Sequence, residues 1–212
     1  LVPIRIELES DGHRLRDTFT WNLNDTLISH ELFAETLCED LQLPSTLFVP
    51  GMVKQMKEQI ADYQGHSYLS QAETTNDLRV VIRIDITVGN VALMDQFEWD
   101  GCQDPEHFAA SFCADLGLSG EFLTAVAHSI REQLFIYTKS LLLLGYPFDG
   151  SLVEDLDLQG AFLPPISTVV RSSREVNEFT PSLVELSALE LERKEKDDDR
   201  DIRRKRRQTR GR

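Results

Sequence analysis

Two short stretches, "RDTFTW" at 16–21 and "MDQFEW" at 94–99, carry an aspartate, a phenylalanine and a tryptophan at the same spacing. The likeness extends backwards without a gap, because residues 4–6 and 82–84 both read Ile-Arg-Ile. It also extends forwards after a three-residue deletion, where Phe33, Ala34 and Cys38 match Phe108, Ala109 and Cys113. A match of this length in one order predicts that the chain contains two copies of one unit.

Each copy opens with the pattern of a β-hairpin. The run "VPIRIELES" at 2–10 alternates apolar and polar residues, which is the period of a half-buried strand. "SDG" at 10–12 and "GN" at 89–90 supply residues that tolerate positive φ, and a second alternating run follows each of them. The phenylalanine and tryptophan lie two residues apart, so they project from one face of the second strand.

Two helices are predicted to follow each hairpin. Ser29 can cap the first helix of the first copy, and Asp104 with Pro105 can start its counterpart in the second copy. The second helices are expected at about 48–62 and 119–136. The predicted apolar stripe of the first helix consists of Leu32, Phe33, Thr36, Leu37 and Leu41.

The sequence therefore predicts an α+β fold of two tandem strand–strand–helix–helix repeats, followed by a connector and a C-terminal basic helix. The expected bounds are 1–62 for repeat one, 63–77 for a linker, 78–144 for repeat two, 145–180 for the connector and 181–212 for the helix. Within the connector, "ISTVVRSS" at 166–173 is a candidate added strand. Thr180-Pro181 resembles a helix start, and Leu183, Leu186 and Leu189 are expected to anchor the first helical turns.

The repeated aromatic residues allow two interpretations. Units of this size bury little surface, so packing on each other or on a partner is expected to cover what remains apolar. Phe19, Trp21, Phe97 and Trp99 are favoured as core side chains, and the alternative is a partner-docking surface. The matched Cys38 and Cys113 are expected to be small buried side chains rather than nucleophiles.

The charge of the chain is divided unevenly. Residues 200–212 contain eight basic residues and one acidic residue, a local charge of +7. Because the whole chain carries −14, the other 199 residues carry −21. An acidic body with a concentrated basic end is the asymmetry expected of an interaction tail.

The basic end has helical spacing. Arg200, Arg203, Arg204 and Arg207 would share one helix face, with Arg206 and Arg210 beside it. This ridge allows three interpretations: a solvated tail or nuclear-localisation signal, contact with DNA phosphates, or docking on an acidic protein surface. Spacing does not separate the last two, and the lack of aromatic residues among the bases argues against stacking on single strands.

No sequence pattern points to an enzyme, a cofactor, a small-molecule substrate or a metal. Phosphate-binding glycine loops and the motifs of serine hydrolases and zinc peptidases are absent, and the five histidines lack ligand spacing. No apolar run approaches the roughly 18 residues of a membrane span. The three cysteines form no CxxC pair, which favours a reducing compartment, the cytoplasm or the nucleus.

These motifs resemble those of a known family. Two tandem copies of D-x-F-x-W, F-x(3,4)-C-x-D-L-x-L and a later glutamine, followed by an arginine-rich terminal helix, are similar to the SNF-five/INI-one family. Its members are core, non-catalytic subunits of SWI/SNF- and RSC-type nucleosome remodellers. The resemblance covers 1–136 and 180–210, and "LLLLGYPFDG" at 141–150 is similar to the RSC-type fungal branch.

The resemblance implies a nuclear scaffold without enzymatic activity. Its repeats would bind the SWIRM-containing subunits that hold a remodelling ATPase complex together. Its terminal helix would grip the acidic patch of the histone octamer. Carried over, the gripping residues are Arg200, Arg203, Arg204, Arg206 and Arg207, with Arg210 beside them. The alternative is a module that binds the DNA backbone through the basic helix alone, against which the acidic body counts because it would repel phosphate.

Overall fold

The computed structural model describes residues 1–67, 79–100, 103–147, 151, 153–163, 170–194, 196–197 and 200. Its elements are β1 (Val2–Ser10), β2 (His13–Trp21), α1 (His30–Asp40), α2 (Ser45–Ser67), β3 (Arg79–Val88), β4 (Val91–Asp100), α3 (Pro105–Leu116), α4 (Gly120–Leu143), α5 (Leu156–Gln159), β5 (Phe162–Leu163), α6 (Ser173–Glu178) and β6 (Ser182–Glu185). The fold is therefore of the mixed α+β class.

The chain divides into two compact units. The first consists of Leu1–Ile82 and Glu98–Ser167, and the second of Arg83–Phe97 and Thr168–Arg212. The strands form a two-stranded sheet, β1-β2, and a four-stranded sheet in the order β5-β3-β4-β6. The order hairpin, helix, helix occurs twice along the chain. That the two segments are copies of one unit stays a prediction of the sequence.

The first hairpin is regular along its whole length. β1 and β2 pair antiparallel, with Val2 opposite Trp21 and Ser10 opposite His13. Asp11 and Gly12 form the connecting turn with φ of 49° and 77°. Two successive residues at positive φ give a turn whose twist matches that of the strands, which is why an Asp-Gly pair is favoured there.

One face of this hairpin forms a core with the two helices that follow it. Alternate residues of β1 (Val2, Ile4 and Ile6) point to that face and are fully buried. The helices supply further apolar side chains to the same core, namely Ala34, Cys38, Phe48, Met52, Met56 and Ile60. Burial raises the pKa of the Cys38 thiol, so this cysteine is a core side chain rather than a reactive nucleophile.

Glutamine side chains of α2 occupy the outer edge of β1. The Arg5 N–H donates to Gln59 Oε1 at 3.0 Å, and Gln59 Nε2 donates back to the Arg5 carbonyl at 2.9 Å. Gln55 makes the same pair of bonds with the backbone of Glu7, at 3.1 and 3.0 Å. Four helical residues rise about 6 Å and two strand residues about 6.6 Å, so the two spacings match. The amides thus satisfy an edge that would otherwise be open to another strand.

The second hairpin turns at Gly89, whose φ is 59°. In the first unit, the start of β3 pairs with β5, with Arg79 opposite Leu163 and Val80 opposite Phe162. Helix α3 begins as predicted: the Asp104 side chain accepts from the Glu106 N–H at 3.1 Å, and Pro105 is the first helical residue. The predicted Ser29 cap of α1 is also confirmed, because its Oγ accepts from the Leu32 N–H at 3.1 Å.

Helix ends and connector strands differ from the sequence predictions. α2 continues to Ser67 and α4 to Leu143, past the expected ends at 62 and 136. The strands β5 and β6 were not expected. Of the candidate strand at 166–173, residues 166–169 lie outside the described residues, 170–172 are not strand and Ser173 begins α6. Ser172 caps that helix in a capping box with Glu175, which explains why the segment turns into a helix.

The predicted start of the C-terminal helix at 181 is wrong. Ser182–Glu185 form β6 and pair with β4 instead. Helical backbone starts at 188 and includes 188–194, 196–197 and 200, here called the C-terminal helix. The apolar residues from 183 to 191 fit either period, and the edge of β4 offers hydrogen bonds that select the strand. Leu189 is 69% exposed, so the expected leucine anchor is also wrong.

Gln55→Ala tests the cover on the edge of β1. It removes both bonds to Glu7 and leaves a partly buried N–H and C=O unsatisfied, so we expect a loss of about 1–3 kcal/mol in the free energy of unfolding, measured by urea denaturation. The neighbouring, exposed Lys54 supplies the control, and Lys54→Ala is expected to change stability by less than about 0.5 kcal/mol. Equal losses for both variants would mean that the glutamine does not protect the strand.

Candidate protein interface

Helix α4, which follows the second hairpin in the sequence, lies against the first hairpin within the first unit. Arg5 of β1 donates from Nε to Glu132 Oε1 at 2.8 Å and from Nη2 to Glu132 Oε2 at 2.7 Å. This two-pronged geometry fixes the direction as well as the distance of the pair. The hydrogen bond to Glu132 raises the pKa of Arg5, so the guanidinium stays charged.

His128 lies one helical turn before Glu132 and is only 2% exposed. Its Nε2 is 2.9 Å from the carbonyl oxygen of Ile4. Because a carbonyl only accepts, Nε2 carries the proton and donates it to this bond. Burial lowers the pKa of His128, while the Glu132 carboxylate raises it and the Arg5 guanidinium lowers it. The net direction is downward, so the ring is neutral at physiological pH.

A second set of contacts lies further along the same helix. Lys139 Nζ donates to both carboxylate oxygens of Asp62 in α2, at 2.7 and 2.6 Å. The rings of Tyr63 and Phe135 lie 5.1 Å apart between their centroids. Lys139 follows Glu132 by seven residues, or about 10 Å of helix. Two anchoring points at this separation fix the orientation of α4 on the first segment as well as its position.

A groove of ≈ 240 Å³ opens between the start of β1, the end of α2 and α4. Leu1, Pro3, Tyr63, Leu134 and Phe135 supply its apolar lining. The positively charged side chains of Arg131 and Lys139 also line the groove. Both already have carboxylate partners within the chain, since Arg131 pairs with Glu106 and Lys139 with Asp62. The groove therefore suits an apolar side chain of a protein better than a phosphate or another anion.

The four aromatic residues predicted from the repeat have unequal exposure. Trp99 is 2% exposed and packs edge-on against Phe108, with ring centroids 5.2 Å apart. Phe19, Trp21 and Phe97 are half-buried. Phe19 and Trp21 both contact Phe33, at 4.7 and 5.5 Å between centroids. Trp99 has almost no surface to offer a partner, whereas docking by the other three stays a prediction.

Sequence reasoning missed an exposed apolar surface beside α1. The loop after β2 and the first turn of α1 expose Leu23, Leu27, Ile28 and Leu32, with Leu27 at 89%. Leu32 and Leu41 were expected in the apolar stripe, but the buried residues of α1 are Ala34 and Cys38. The Leu27 N–H donates to Asp25 Oδ1 at 2.9 Å, which forms a local turn in this loop. An ordered, exposed apolar loop is typical of a contact surface for another protein.

Of the predicted nucleosome-binding arginines, the structure describes Arg200. Its side chain is 78% exposed, and Nη1 lies 2.9 Å from Asp197 Oδ1. The remaining residues of that set, Arg203, Arg204, Arg206, Arg207 and Arg210, lie outside the described residues. Arg200 is therefore available to an acidic partner, because an exposed ion pair of this kind is weak and exchanges readily.

The described part of the chain contains neither a cluster of metal-ligating side chains nor a helix that could span a membrane. No group of three or more His, Cys, Asp and Glu side chains among the described residues could hold a metal ion. No helix in the described ranges is both long and apolar enough to cross a bilayer. Burial also raises the pKa of the Cys113 thiol, so it offers no activated nucleophile. The features that remain are surfaces and intramolecular contacts.

Comparison with protein families decides the classification. The sequence model described as SNF5 / SMARCB1 / INI1 matches residues 1–203. The chain belongs to the SNF5 / SMARCB1 / INI1 family. The match includes both hairpin-and-helix segments and the connector, so membership does not rest on one short motif. The resemblance inferred from the repeated motifs is thereby confirmed.

Individual members of the family are similar over nearly the whole chain. The SWI/SNF chromatin-remodeling complex subunit SNF5 of Saccharomyces cerevisiae is 47% identical, covering 99% of this chain and 25% of the relative. The snf5 subunit of Schizosaccharomyces pombe is 41% identical, covering 98% and 39%. The chromatin structure-remodeling complex subunit SFH1 of Saccharomyces cerevisiae is 30% identical, covering 99% and 48%.

The chain thus spans about a quarter to a half of the length of these family members. Identity is higher to the two SNF5 subunits than to SFH1. Both kinds of remodelling-complex subunit are therefore among the relatives, and of these three the SNF5 subunits are the more similar.

Mild acidification should lower the stability of the folded protein through His128. Its pKa is lower in the folded protein than the roughly 6.5 of an unfolded chain, so the unfolded state binds more protons between the two values. The contribution of His128 to stability is therefore fully present above the pKa of the unfolded chain and is lost as the pH falls below that pKa. His128→Gln keeps an N–H donor for Ile4 but cannot titrate. Between about pH 8 and pH 6 we therefore expect this variant to lose less stability than the wild type, as measured by urea denaturation at about pH 8, 7 and 6.

The exposed His13 supplies the control for this titration. His13→Gln is expected to follow the wild-type pH dependence, because its ring lies at the hairpin turn in solvent. If His128→Gln loses as much stability as the wild type over this range, the buried histidine does not govern the pH dependence.

Proposed function

We propose that this chain is the core of a non-catalytic scaffold subunit of a SWI/SNF-type chromatin-remodelling complex that acts in the nucleus. The observation that carries the proposal is family membership over residues 1–203. The names of its relatives, which are subunits of chromatin-remodelling complexes, support the same function. In this proposal the chain holds partner subunits and a nucleosome in place while a separate ATPase subunit does the work.

The contacts of α4 support a scaffold role. Arg5–Glu132, His128–Ile4 and Lys139–Asp62 tie segments that are far apart in sequence, and they use the charged side chains in structural bonds. A platform held at two points can present two docking surfaces at a fixed separation. This arrangement lowers the entropy lost when both surfaces are occupied.

SWIRM-containing subunits are the proposed occupants of these docking surfaces. The exposed apolar loop with Leu27 and Ile28, and the half-buried Phe19 and Trp21, supply apolar contact area on the first segment. Aromatic and aliphatic side chains of this kind are typical anchors at the centre of a protein interface. The −21 charge of the body also favours a basic partner surface around these anchors.

The arginine-rich end is the proposed anchor on the acidic patch of the histone octamer. Seven of the eight basic residues at 200–212 are arginine, and Arg200 is exposed on the C-terminal helix. Arginine grips carboxylates with two parallel hydrogen bonds, whereas lysine acts as a point charge. Arginine can bind phosphate in the same way, so the DNA backbone is the alternative surface that the experiment below has to separate from the acidic patch.

The anchor is tested with nucleosomes, nucleosomes whose acidic patch is neutralised, and naked DNA of equal length. One variant replaces Arg200, Arg203, Arg204, Arg206 and Arg207 by alanine, and a matched control replaces the same five by lysine. We expect the alanine variant to bind nucleosomes at least about tenfold more weakly, since arginines that become buried in an interface are often its hot spots. The lysine variant should fall in between, because it keeps the charge and loses the paired geometry.

Two results would contradict the anchor. The first is a lysine control that binds nucleosomes as tightly as the wild type. The second is equally tight binding of the wild type to intact nucleosomes, patch-neutralised nucleosomes and naked DNA. With a steep salt dependence, that pattern would identify a phosphate-binding tail through counterion release.

A further inference from the structure

The C-terminal helix starts directly from a strand of the second unit. β6 pairs antiparallel with β4, with Ser182 opposite Met94 and Glu185 opposite Val91. One more bond extends this ladder, because the Leu186 N–H donates to the Asn90 carbonyl at 2.7 Å. The backbone is therefore fixed up to Leu186, two residues before the helix begins.

Ser187 caps the C-terminal helix directly after the strand. The Glu190 carboxylate accepts from the Ser187 N–H at 2.9 Å and from its Oγ at 2.6 Å. A glutamate that reaches back to the residue before the helix satisfies a donor that the helix itself cannot. Because the strand ends at 185 and this cap lies at 187, the start of the helix is fixed at the point where it leaves the sheet.

A second attachment lies two turns along the C-terminal helix. Lys194 Nζ is 2.5 Å from Asp85 Oδ1 of β3, a contact between residues 109 positions apart in sequence. The Lys194 side chain is partly buried although the surrounding helix is exposed. Lys194 follows Ser187 by seven residues, or about 10 Å of helix. An attachment about 10 Å from the start of the helix restricts pivoting about its first turn.

Beyond Lys194 the helix is supported by its own charges. Lys196 pairs with Glu192 at 2.5 Å, and Arg200 pairs with Asp197 at 2.9 Å. Pairs spaced three or four residues apart stabilise an exposed helix that has no core to pack on. These two pairs therefore support the described helical positions that follow Lys194, namely 196–197 and Arg200.

We propose that Asp85 is a positioning residue, whose bond to Lys194 orients the C-terminal helix so that Arg200 is presented to an acidic protein surface in one direction. This role rests on the proposed nucleosome anchor and adds to it. The arginines form the contacts with the acidic surface, and Asp85 fixes the orientation in which the helix presents them. Without the bond, the helix would stay attached through β6 but would sample a range of directions, and the entropy of fixing it would oppose binding.

The sign of the charge change separates this role from general electrostatics. Asp85 is one of the acidic residues in a body that carries −21. Removing a negative charge should strengthen binding to an acidic patch or to DNA if only net charge matters. Loss of the positioning bond should instead weaken it. The two explanations therefore predict opposite effects of one substitution.

The test measures nucleosome affinity of the full chain with Asp85→Asn, Lys194→Gln and the charge swap Asp85→Lys with Lys194→Asp. We expect each single variant to bind about two- to fivefold more weakly, the range that a partly exposed ion pair can supply, and the swap to recover most of the loss. Arg193→Gln is the matched control, because it removes one positive charge from the same turn without touching Asp85. It should lose less affinity than Lys194→Gln.

Hydrogen exchange supplies a second readout on the same proteins. Backbone amides at 189–194 should exchange faster in Asp85→Asn than in the wild type, and the swap should restore their protection. Unchanged or stronger nucleosome binding by Asp85→Asn, or a swap without recovery, would overturn the positioning role. If the five-alanine variant binds like the wild type, the anchor itself fails, and the exchange data still report whether Asp85 holds the helix.

Discussion

The hydrogen bond from His128 to the carbonyl of Ile4 is the constraint on which the first unit depends. It places a helix that follows the second hairpin on a strand of the first, across 124 positions of sequence. A buried imidazole has to use its N–H, and the observed orientation of α4 brings that N–H to the backbone of β1. With this orientation, Glu132 meets Arg5 one turn later and Lys139 meets Asp62 two turns beyond that.

This junction links the fold to the proposed function. A scaffold has to present its docking surfaces at a fixed separation, and α4 supplies that separation by contacting both helix α2 and strand β1. The charged residues of the junction are engaged with each other, and the proposed docking surfaces are the apolar loop and the half-buried aromatic rings of the first segment. In the second unit the C-terminal helix also has two attachments. The first is the pairing of β6 with β4, and the second is the bond between Lys194 and Asp85.

Local signals could be read from the sequence, and long-range ones could not. The Asp-Gly turn at 11–12 and the caps Ser29 and Asp104 follow from residue chemistry within a few positions. The α+β class and the family follow from the repeated motif. β6 was missed because "SLVELSALEL" fits a helix as well as a strand, and only the edge of β4 decides between them. His128 gave no signal because its partner is a backbone carbonyl, which any residue could supply at position 4.

The most direct measurement follows the two tryptophans during unfolding. Trp21 lies in the first segment and Trp99 in the second, and they are the two tryptophans of the chain. Labelling with 5-fluorotryptophan gives one fluorine NMR resonance for each, assigned with Trp21→Phe and Trp99→Phe. If α4 locks the segments together, both native resonances disappear over the same urea range, as a single cooperative unit requires. Two separate transitions would contradict the lock and, with it, the rigid platform on which the proposed scaffold depends.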